Sequence, residues 1–222
     1  NQNSFIKRYL KYLKRYLFIK FLGQNSLERK VITSEHRRIL WINLSATSIG
    51  DSLMDLSSRV LLKGKNVDLY TNVAVSGIFL TDKIFSNIFS NKKSIDSKKY
   101  DLVIIDSFST RTIRVKSKIA KTIPFVGMYG FYNGPDVNRT MFSFHRLNQL
   151  LGYINSENRI NEISKLSLTI SIEDKKLVKS FNLPKDYILV ALGGEWSFRI
   201  YNKWVELIKI LLKNDKKINI VL

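Results

Sequence analysis

Short apolar runs alternate with amphipathic stretches along most of the chain. The apolar runs have the length of β-strands and cover residues 39–44, 67–70, 100–106 and 124–128. Between the first two runs, residues 51–63 carry apolar side chains at helical spacing, and Gly64 follows as the expected end of a helix. Strands that alternate with helices in this way predict a doubly wound parallel sheet, and therefore an α/β fold.

The remaining segments of this region are less regular. Residues 84–89 lie in a polar stretch that we interpret as a short helix and loop, whereas residues 111–121 predict a basic helix. Further helices are expected at 142–154 and 172–181, and a short strand is expected between them at Leu166–Ile170.

The strand-and-helix pattern restarts after Leu183. Residues 187–192 predict a strand, a glycine turn follows, and residues 202–213 predict an amphipathic helix before a final apolar run. Because the chain begins with Asn and stops within that run, we expect a fragment trimmed at both ends, with an incomplete second α/β domain. The expected organisation is an N-terminal helix and linker at 1–37, a Rossmann-like domain at 38–182, and the start of a second domain at 183–222.

The N-terminal stretch 4–23 combines helical spacing of apolar residues with many basic residues. Its apolar and aromatic residues at that spacing are Ile6, Tyr9, Leu10, Leu13, Tyr16, Leu17 and Phe21. A basic amphipathic helix of this kind can lie in the plane of an anionic membrane. The alternative is an ordinary helix packed on the domain. A mitochondrial presequence is disfavoured because the stretch is rich in Lys and Tyr rather than in Ser and Arg.

The chain has 37 Lys and Arg residues against 18 Asp and Glu, a formal net charge of +19. Such a balance indicates an anionic partner, which could be nucleic acid, a membrane surface or a phosphorylated substrate. A general abundance of surface lysine is the alternative. There is no Cys, which excludes disulfides and a Cys nucleophile, and the 2 His residues have no companions at metal-ligand spacing. The absence of G-x-G-x-x-G disfavours a typical nicotinamide enzyme.

Asp51 is the main candidate for chemistry. It follows the first predicted strand and a turn of small and hydroxyl residues. In an open α/β sheet, ligands bind beyond the carboxyl ends of the strands, so Asp51 lies where a catalytic carboxylate would be expected. The alternative is that Asp51 is only the N-cap of the following helix.

A second candidate site is the turn Gly193-Gly194, which separates a predicted strand from a predicted helix. Glycine lets backbone N–H groups approach a phosphate closely, and the start of a helix favours an anion. Glu195 would oppose an anion, whereas Arg199 and Lys203 could supply positive charge. A plain turn is the alternative.

Three stretches of the sequence resemble the bacterial family 9 glycosyltransferases, the ADP-heptose:lipopolysaccharide heptosyltransferase family. Residues 42–51 are similar to the opening strand and Gly-Asp loop of the family. Residues 100–106, with Arg111 beyond them, are similar to its "YDLVIDLQ…R" segment. Residues 193–207 are similar to the turn and helix that open its second domain. The resemblance extends over residues 38–222, with the motifs in the family's order.

The resemblance implies a glycosyltransferase B fold of two Rossmann-like domains, the first binding the acceptor and the second the nucleotide-sugar. It implies that Asp51 is the catalytic base. The residues implied for acceptor binding are Ser48, Gly50, Arg111, Arg139 and His145, with the basic Arg146 beside them, and those implied for donor binding are Gly193, Gly194, Arg199 and Lys203. The sequence departs from the family where Asp55-Leu56-Ser57 replaces the usual Thr-Leu-Pro, and in the "K-R-W-P" motif, where Arg199 is the nearest stand-in for the lysine.

The implied function is inverting transfer of a sugar, expected to be heptose, from ADP-heptose to a lipopolysaccharide or related cell-envelope glycan, with no metal ion or other cofactor. The expected location is the bacterial cytoplasm, peripheral on the inner face of the inner membrane, with residues 4–22 against an anionic surface. The alternatives are an inactive scaffold and a basic α/β protein that binds nucleic acid or membranes without catalysis. Nucleic acid is disfavoured because only the first helix groups basic residues with aromatic ones.

Overall fold

The structure is a computed structural model that describes residues 2–46, 48–129, 138–193 and 200–222. The chain forms two compact units, Asn1–Thr169 and Ile170–Leu222. The helices described in the first unit are α1 (Gln2–Phe21), α2 (Ile49–Leu56), α3 (Val73–Ile78), α4 (Thr110–Ile119), α5 (Arg139–Leu150) and α6 (Glu157–Ile163). Its strands are β1 (Arg38–Asn43), β2 (Asn66–Thr71), β3 (Phe85–Phe89), β4 (Leu102–Ser107) and β5 (Phe125–Tyr129).

The five strands of the first unit form one parallel sheet in the order β3-β2-β1-β4-β5. The chain runs outward from β1 to β3, and then returns to the other side of β1 to form β4. The winding direction therefore reverses between β1 and β4, which is where open α/β sheets bind ligands. The predicted doubly wound parallel sheet is confirmed.

Alternate side chains of the strands enter two separate hydrophobic clusters. One cluster contains Trp41 and Ile104 and is completed by residues of α2, α3 and α5. The other contains Leu40 and Ile105 and is completed by residues of α1 and α4. Because both faces of the sheet are covered, its central strands are apolar at nearly every position, and this is why the apolar runs predicted them.

Residues 84–89 do not form the predicted short helix and loop. Phe85–Phe89 is strand β3, which pairs with β2 at one edge of the sheet. Phe85 is buried and meets the rings of Trp41 and Phe79 edge-on. The middle of this edge strand, Ser86 and Asn87, is polar and exposed, and that interruption of the apolar run concealed the strand in the sequence.

The predicted strand at Leu166–Ile170 is also absent from the described residues. The guanidinium group of Arg59 donates to the carbonyl of Ser167 at 2.9 Å, and the hydroxyl of Thr81 donates to the carbonyl of Thr169 at 2.8 Å. Side chains thus occupy carbonyl groups that a strand would offer to a neighbouring strand.

The predicted helix at 51–63 divides into α2 and a 3-10 segment, Ser57–Leu62. The 3-10 segment begins with two serines, and the hydroxyl of the first, Ser57, donates to the carbonyl of Leu53. Within the 3-10 segment, buried Arg59 pairs with buried Asp82 at 2.6 Å and lies over the ring of Phe79. This ion pair ties the end of the first crossover to the chain that leads into β3.

The N-terminal helix and linker belong to the first unit. Ile19 of α1 is buried in the cluster that contains α4. Downstream of α1, the N–H of Arg29 donates to the carbonyl of Phe125 at 2.7 Å, and the N–H of Ile32 donates to the carbonyl of Leu150 at 2.6 Å. The linker is therefore joined to both β5 and α5 by backbone hydrogen bonds.

The second unit contains α7 (Ile172–Ser180), β6 (Ile188–Leu189), α8 (Trp204–Asn214) and β7 (Ile220–Val221). The two strands are parallel and short. The unit begins at Ile170 and includes α7. A second domain that starts at residue 183 stays a prediction.

Candidate functional site

Ser48 and Asp51 define the start of α2, directly after β1. The N–H of Asp51 donates to the hydroxyl of Ser48 at 3.2 Å, so Ser48 is the N-cap and Asp51 lies in the first turn. The alternative that Asp51 is itself the cap is therefore wrong. Its carboxylate is free for another role, at the ligand-binding edge of the sheet.

Arg139, the first residue of α5, joins two carboxylates of α2. Its Nη1 lies 2.8 Å from Oδ1 of Asp51. Its Nε and Nη2 lie 2.5 and 2.6 Å from the two carboxylate oxygens of Asp55. Asp51 and Asp55 are four residues apart on one helix, so both side chains project from the same face and one guanidinium reaches both.

The part of this cluster around Asp55 is buried. The side chain of Asp55 is 4% exposed, and besides Arg139 it accepts a hydrogen bond from the hydroxyl of Tyr129 at 2.5 Å. Burial, followed by the charge of Asp55, raises the pKa of Tyr129, which stays protonated and donates. The hydrogen bond from Arg139 to Asp55 raises the pKa of Arg139, which remains a cation.

The part of the cluster around Asp51 is open. The side chain of Asp51 is 42% exposed and that of Arg139 is 39% exposed. Arg139 holds Oδ1 of Asp51, whereas Oδ2 has no hydrogen-bond partner among the described residues. The result is a carboxylate that is oriented through one oxygen and available to a ligand through the other.

A second carboxylate, Asp106, lies at the same edge, near the end of β4. It is 2% exposed and accepts hydrogen bonds from the N–H groups of Leu44 and Ser45 at 2.6 and 2.5 Å, and from the hydroxyl of Thr112 at 2.9 Å. Burial raises the pKa of Asp106, and these hydrogen bonds oppose the rise. Asp106 therefore holds Leu44 and Ser45, which follow β1, at the sheet edge where α2 and Asp51 begin.

Two buried polar side chains also lie at the carboxyl ends of β1 and β2. Asn43 and Thr71 are neighbours in the strand register. Neither the amide of Asn43 nor the hydroxyl of Thr71 has a hydrogen-bond partner among the described residues. Buried polar groups without partners are rare, and in native proteins they are often found near functional sites or unplaced water.

The other predicted acceptor residues are spread around the first unit. Gly50 is in the first turn of α2, beside Asp51. Arg111 is exposed in the first turn of α4, at the same edge but in the helix that covers the opposite face. Nε2 of His145 lies 2.8 Å from the side-chain oxygen of Asn161, which accepts its hydrogen bond, and Arg146 donates to the carbonyl of Gly127 at 2.7 Å. Those last two contacts stabilise packing around α5, so only Arg139 of the three basic residues in α5 meets Asp51.

Of the predicted donor residues, Gly193 and Lys203 are described and lie in the second unit. Both are exposed, and Lys203 immediately precedes α8. A side chain built on Gly193 would enter open space, so the described part of the turn can be approached closely from outside. Gly194 and Arg199 lie outside the described residues.

Asp55 and Tyr129 were missed by the sequence analysis. Their link to Arg139 joins residues far apart in the chain, and no periodicity reports such a contact. The acids at positions 51 and 55 did share a helical face, and that spacing was an available signal. Within the described ranges, no cluster of acids and histidines is arranged to hold a metal ion, and none of the helices has the length and apolar character needed to cross a bilayer.

No protein-family model and no curated protein matches the sequence. Among solved structures, E. coli heptosyltransferase WaaC with ADP matches with a TM-score of 0.52 at 16% identity, over 82% of this chain and 66% of that chain. The same heptosyltransferase with ADP-2-deoxy-2-fluoro heptose matches with a TM-score of 0.52 at 17% identity, over 82% of this chain and 67% of that chain. A family 9 glycosyl transferase from Veillonella parvula DSM 2008 matches with a TM-score of 0.60 at 13% identity, over 86% of this chain and 71% of that chain.

These likenesses cover most of this chain at low sequence identity, and they concern the fold. The chain spans about two thirds of the length of the solved WaaC chains. The resemblance that three sequence motifs indicated is thus confirmed in three dimensions: the chain has the α/β architecture of the glycosyltransferase B type found in family 9 glycosyltransferases.

Proposed function

We propose that this protein is an inverting glycosyltransferase. The observation that carries the proposal is the state of Asp51. It is a half-exposed carboxylate beside the point where the sheet reverses its winding, held through one oxygen by Arg139 and open at the other. A general base needs such an arrangement, because it must be positioned and must also reach the proton of its substrate.

In the proposed reaction, Oδ2 of Asp51 accepts the proton of an acceptor hydroxyl as the hydroxyl oxygen attacks the anomeric carbon of the donor. The bond from that carbon to the nucleoside diphosphate breaks, and its electron pair leaves with the diphosphate. Attack on the side opposite to the leaving group inverts the configuration. Arg139 is a positioning residue, since its contacts with Asp55 keep the guanidinium in place below Asp51.

The donor that we propose is ADP-heptose, with no metal ion required. Support comes from two of the structural neighbours, which are heptosyltransferase structures with ADP and with ADP-2-deoxy-2-fluoro heptose. Negative charge develops on the leaving diphosphate, and positive side chains and backbone N–H groups would stabilise it. The residues that we assign to this role are Gly193, Gly194, Arg199 and Lys203.

The acceptor that we propose is a lipopolysaccharide or a related glycan of the bacterial cell envelope. Ser48 and Gly50 precede Asp51 at the start of α2, and Arg111 is exposed at the same sheet edge. We also assign His145 to acceptor binding, although its ring is hydrogen-bonded to Asn161 and does not contact Asp51. We further propose that the protein works in the cytoplasm, peripheral to the inner face of the inner membrane.

The test compares Asp51→Asn with wild type in the full-length protein, by measuring release of ADP from ADP-heptose in the presence of a lipid-linked acceptor. Asparagine is close in size to aspartate but cannot take up the proton. We expect turnover to fall by about two to four orders of magnitude, the usual contribution of general base catalysis, with little change in melting temperature.

Asp174→Asn is the matched control. Asp174 lies at the same position of α7, three residues after its capping Ser171, and it is exposed. Its substitution removes an identical charge from an identical place in a helix, and turnover should be retained. Wild-type turnover in Asp51→Asn would overturn the assignment of the base. Absence of turnover in the wild-type protein with nucleotide-sugar donors would instead favour a protein that binds without catalysis.

A further inference from the structure

A row of large apolar residues lies uncovered along α1. Its members are Ile6, Tyr9, Leu10, Leu13, Tyr16, Leu17 and Phe21, and we call this row the α1 stripe; every member is exposed, and Phe21 is 86% exposed. At the helical turn of about 100° per residue, the stripe falls on the side opposite to Phe18, Ile19 and Leu22, which pack on the domain. The stripe therefore faces away from the first unit.

The charges around the stripe point to its occupant. Basic residues recur through α1, and Lys7 and Lys14 border the stripe, whereas no acidic residue occurs before Glu28. A second copy of the chain would bring another basic helix against this one, and the two would repel each other. An anionic membrane satisfies both features, since it offers an apolar interior and a negative surface.

A cavity lies where α1 ends. It has a volume of about 610 Å³ and is lined by Phe21, Leu22, Arg114, Ser117, Lys118 and Lys121. The three basic residues come from α4 and the turn after it, where their spacing places them on one side. The guanidinium of Arg114 lies 5.6 Å from the centre of the Phe18 ring, which joins this wall of the cavity to α1. Phe21 belongs to both the stripe and the cavity.

We propose that α1 lies in the interface of an anionic bilayer and that the cavity at its C-terminal end holds the phosphate of an anionic phospholipid headgroup. The stripe enters the acyl boundary, and the lysine stems at its border reach the headgroup layer. Arg114, Lys118 and Lys121 then surround one phosphate while Phe21 and Leu22 contact the upper part of the acyl chains. This proposal does not depend on the proposed transferase activity, because lipid binding needs no donor sugar.

The experiment measures co-sedimentation of the full chain with phosphatidylcholine vesicles, with and without phosphatidylglycerol. The cavity variant carries Arg114→Gln, Lys118→Gln and Lys121→Gln. The stripe variant carries Leu10→Gln, Leu13→Gln and Leu17→Gln. The control variant carries Lys175→Gln, Lys176→Gln and Lys179→Gln in α7, which removes the same charge from exposed positions elsewhere. Circular dichroism confirms that each variant is folded.

We expect the wild type and the control variant to bind vesicles that contain phosphatidylglycerol with equal affinity, and not to bind vesicles of pure phosphatidylcholine. The cavity variant should bind about 100-fold more weakly, since each basic residue near an anionic surface contributes about a fivefold gain in affinity. The stripe variant should lose binding by more than about tenfold, because burial of each leucine in the acyl boundary is lost. Soluble glycerophosphoglycerol should not displace the wild type, because it cannot occupy the stripe.

Several outcomes would overturn the proposal. An equal loss of vesicle binding in the cavity variant and the control variant would show that only the overall charge of the protein matters. Displacement by glycerophosphoglycerol or inorganic phosphate alone would show an anion site without a membrane. A dimer that forms without vesicles and disappears in the stripe variant would make a second copy the occupant of the stripe.

Discussion

The two sides of the sheet bury charge in different ways. On the side of α2 and α5, buried carboxylates have cationic partners: Asp55 pairs with Arg139, and Asp82 pairs with Arg59. On the side of α4, Asp106 and Lys116 are buried with neutral partners instead. Lys116 donates to the side-chain oxygen of Gln24 at 2.6 Å and lies 4.8 Å from the centre of the Phe125 ring.

The difference has a direct electrostatic consequence. A buried charge with a counter-ion keeps its charged state, whereas a buried charge with only dipoles around it shifts toward its neutral state. Burial accordingly raises the pKa of Asp106 and lowers the pKa of Lys116 to about 8. The paired side is thus suited to hold a charged catalytic group in place, and the unpaired side makes stability depend on pH. Three substitutions test this contrast.

The largest effect is expected from Arg139→Met. Removing the guanidinium leaves the buried carboxylate of Asp55 without its cation, which should lower the free energy of unfolding by about 3 kcal/mol. Urea denaturation followed by circular dichroism measures it. Arg159→Gln is the control, because Arg159 and Glu162 form an exposed pair whose loss should cost less than about 0.5 kcal/mol. Adding Asp55→Asn to Arg139→Met should recover part of the loss. Equal stability of the Arg139 and Arg159 variants would contradict the paired arrangement.

Asp106→Ala should have the next largest effect. The N–H groups of Leu44 and Ser45 and the hydroxyl of Thr112 lose their acceptor, and the free energy of unfolding should fall by about 2–3 kcal/mol. Asp51→Ala, at the same sheet edge but half exposed, should cost about 0.5 kcal/mol or less. If chemical denaturation gave the two alanine variants the same stability, Asp106 would not be the structural carboxylate of this edge.

The smallest effect concerns pH and Lys116. The unfolded chain binds a proton on this lysine up to about its ordinary pKa of 10.5, whereas the folded chain releases it near 8. Between these values the unfolded state holds more protons, so stability should rise with pH across that window, by at most about 1.4 kcal/mol for each pH unit. Lys116→Met should flatten this part of the profile, measured by urea denaturation from neutral to alkaline pH. An unchanged slope would show that the lysine is not the titrating group.

Asp106 contributes with the opposite sign. Its pKa is raised on folding, so the folded state holds more protons above the ordinary value, and stability from this group falls as pH rises through that window. The two groups on the side of α4 therefore give stability profiles that slope in opposite directions with pH.

The sequence predicted what depends on local periodicity. The strands around Trp41 and Ile104 were found because both faces of the sheet are covered, which makes the runs apolar. Asp51 was placed at the sheet edge by the same logic, since residues after a parallel strand emerge there. Edge strand β3 was missed because its middle is polar and exposed, and the strand near Leu168 was predicted from an apolar alternation whose backbone groups are bonded to side chains instead.

The candidate site was predictable only in part because its contacts connect distant elements. Arg139 entered through the family resemblance, but its link to Asp55 and the support from Tyr129 depend on how α5 and β5 lie beside α2. The same resemblance suggested His145 and Arg146, whose nitrogens are engaged within the packing of α5. About two turns of helix separate Arg139, which contacts Asp51, from His145 and Arg146, which do not, and a motif does not resolve that difference.

The linker after α1 has a consequence for self-association. β5 is the last strand on its side of the sheet, and an apolar strand with unpaired backbone groups is a template for strands of other chains. Glu28 and Arg29 occupy that position, through a bridge to Phe125 and the N–H to carbonyl bond beside it. The linker therefore covers the edge of β5 and blocks intermolecular β-pairing there. Shortened forms of the protein that begin at Glu28 would keep this edge covered, whereas forms that begin after Arg29 would expose it and aggregate.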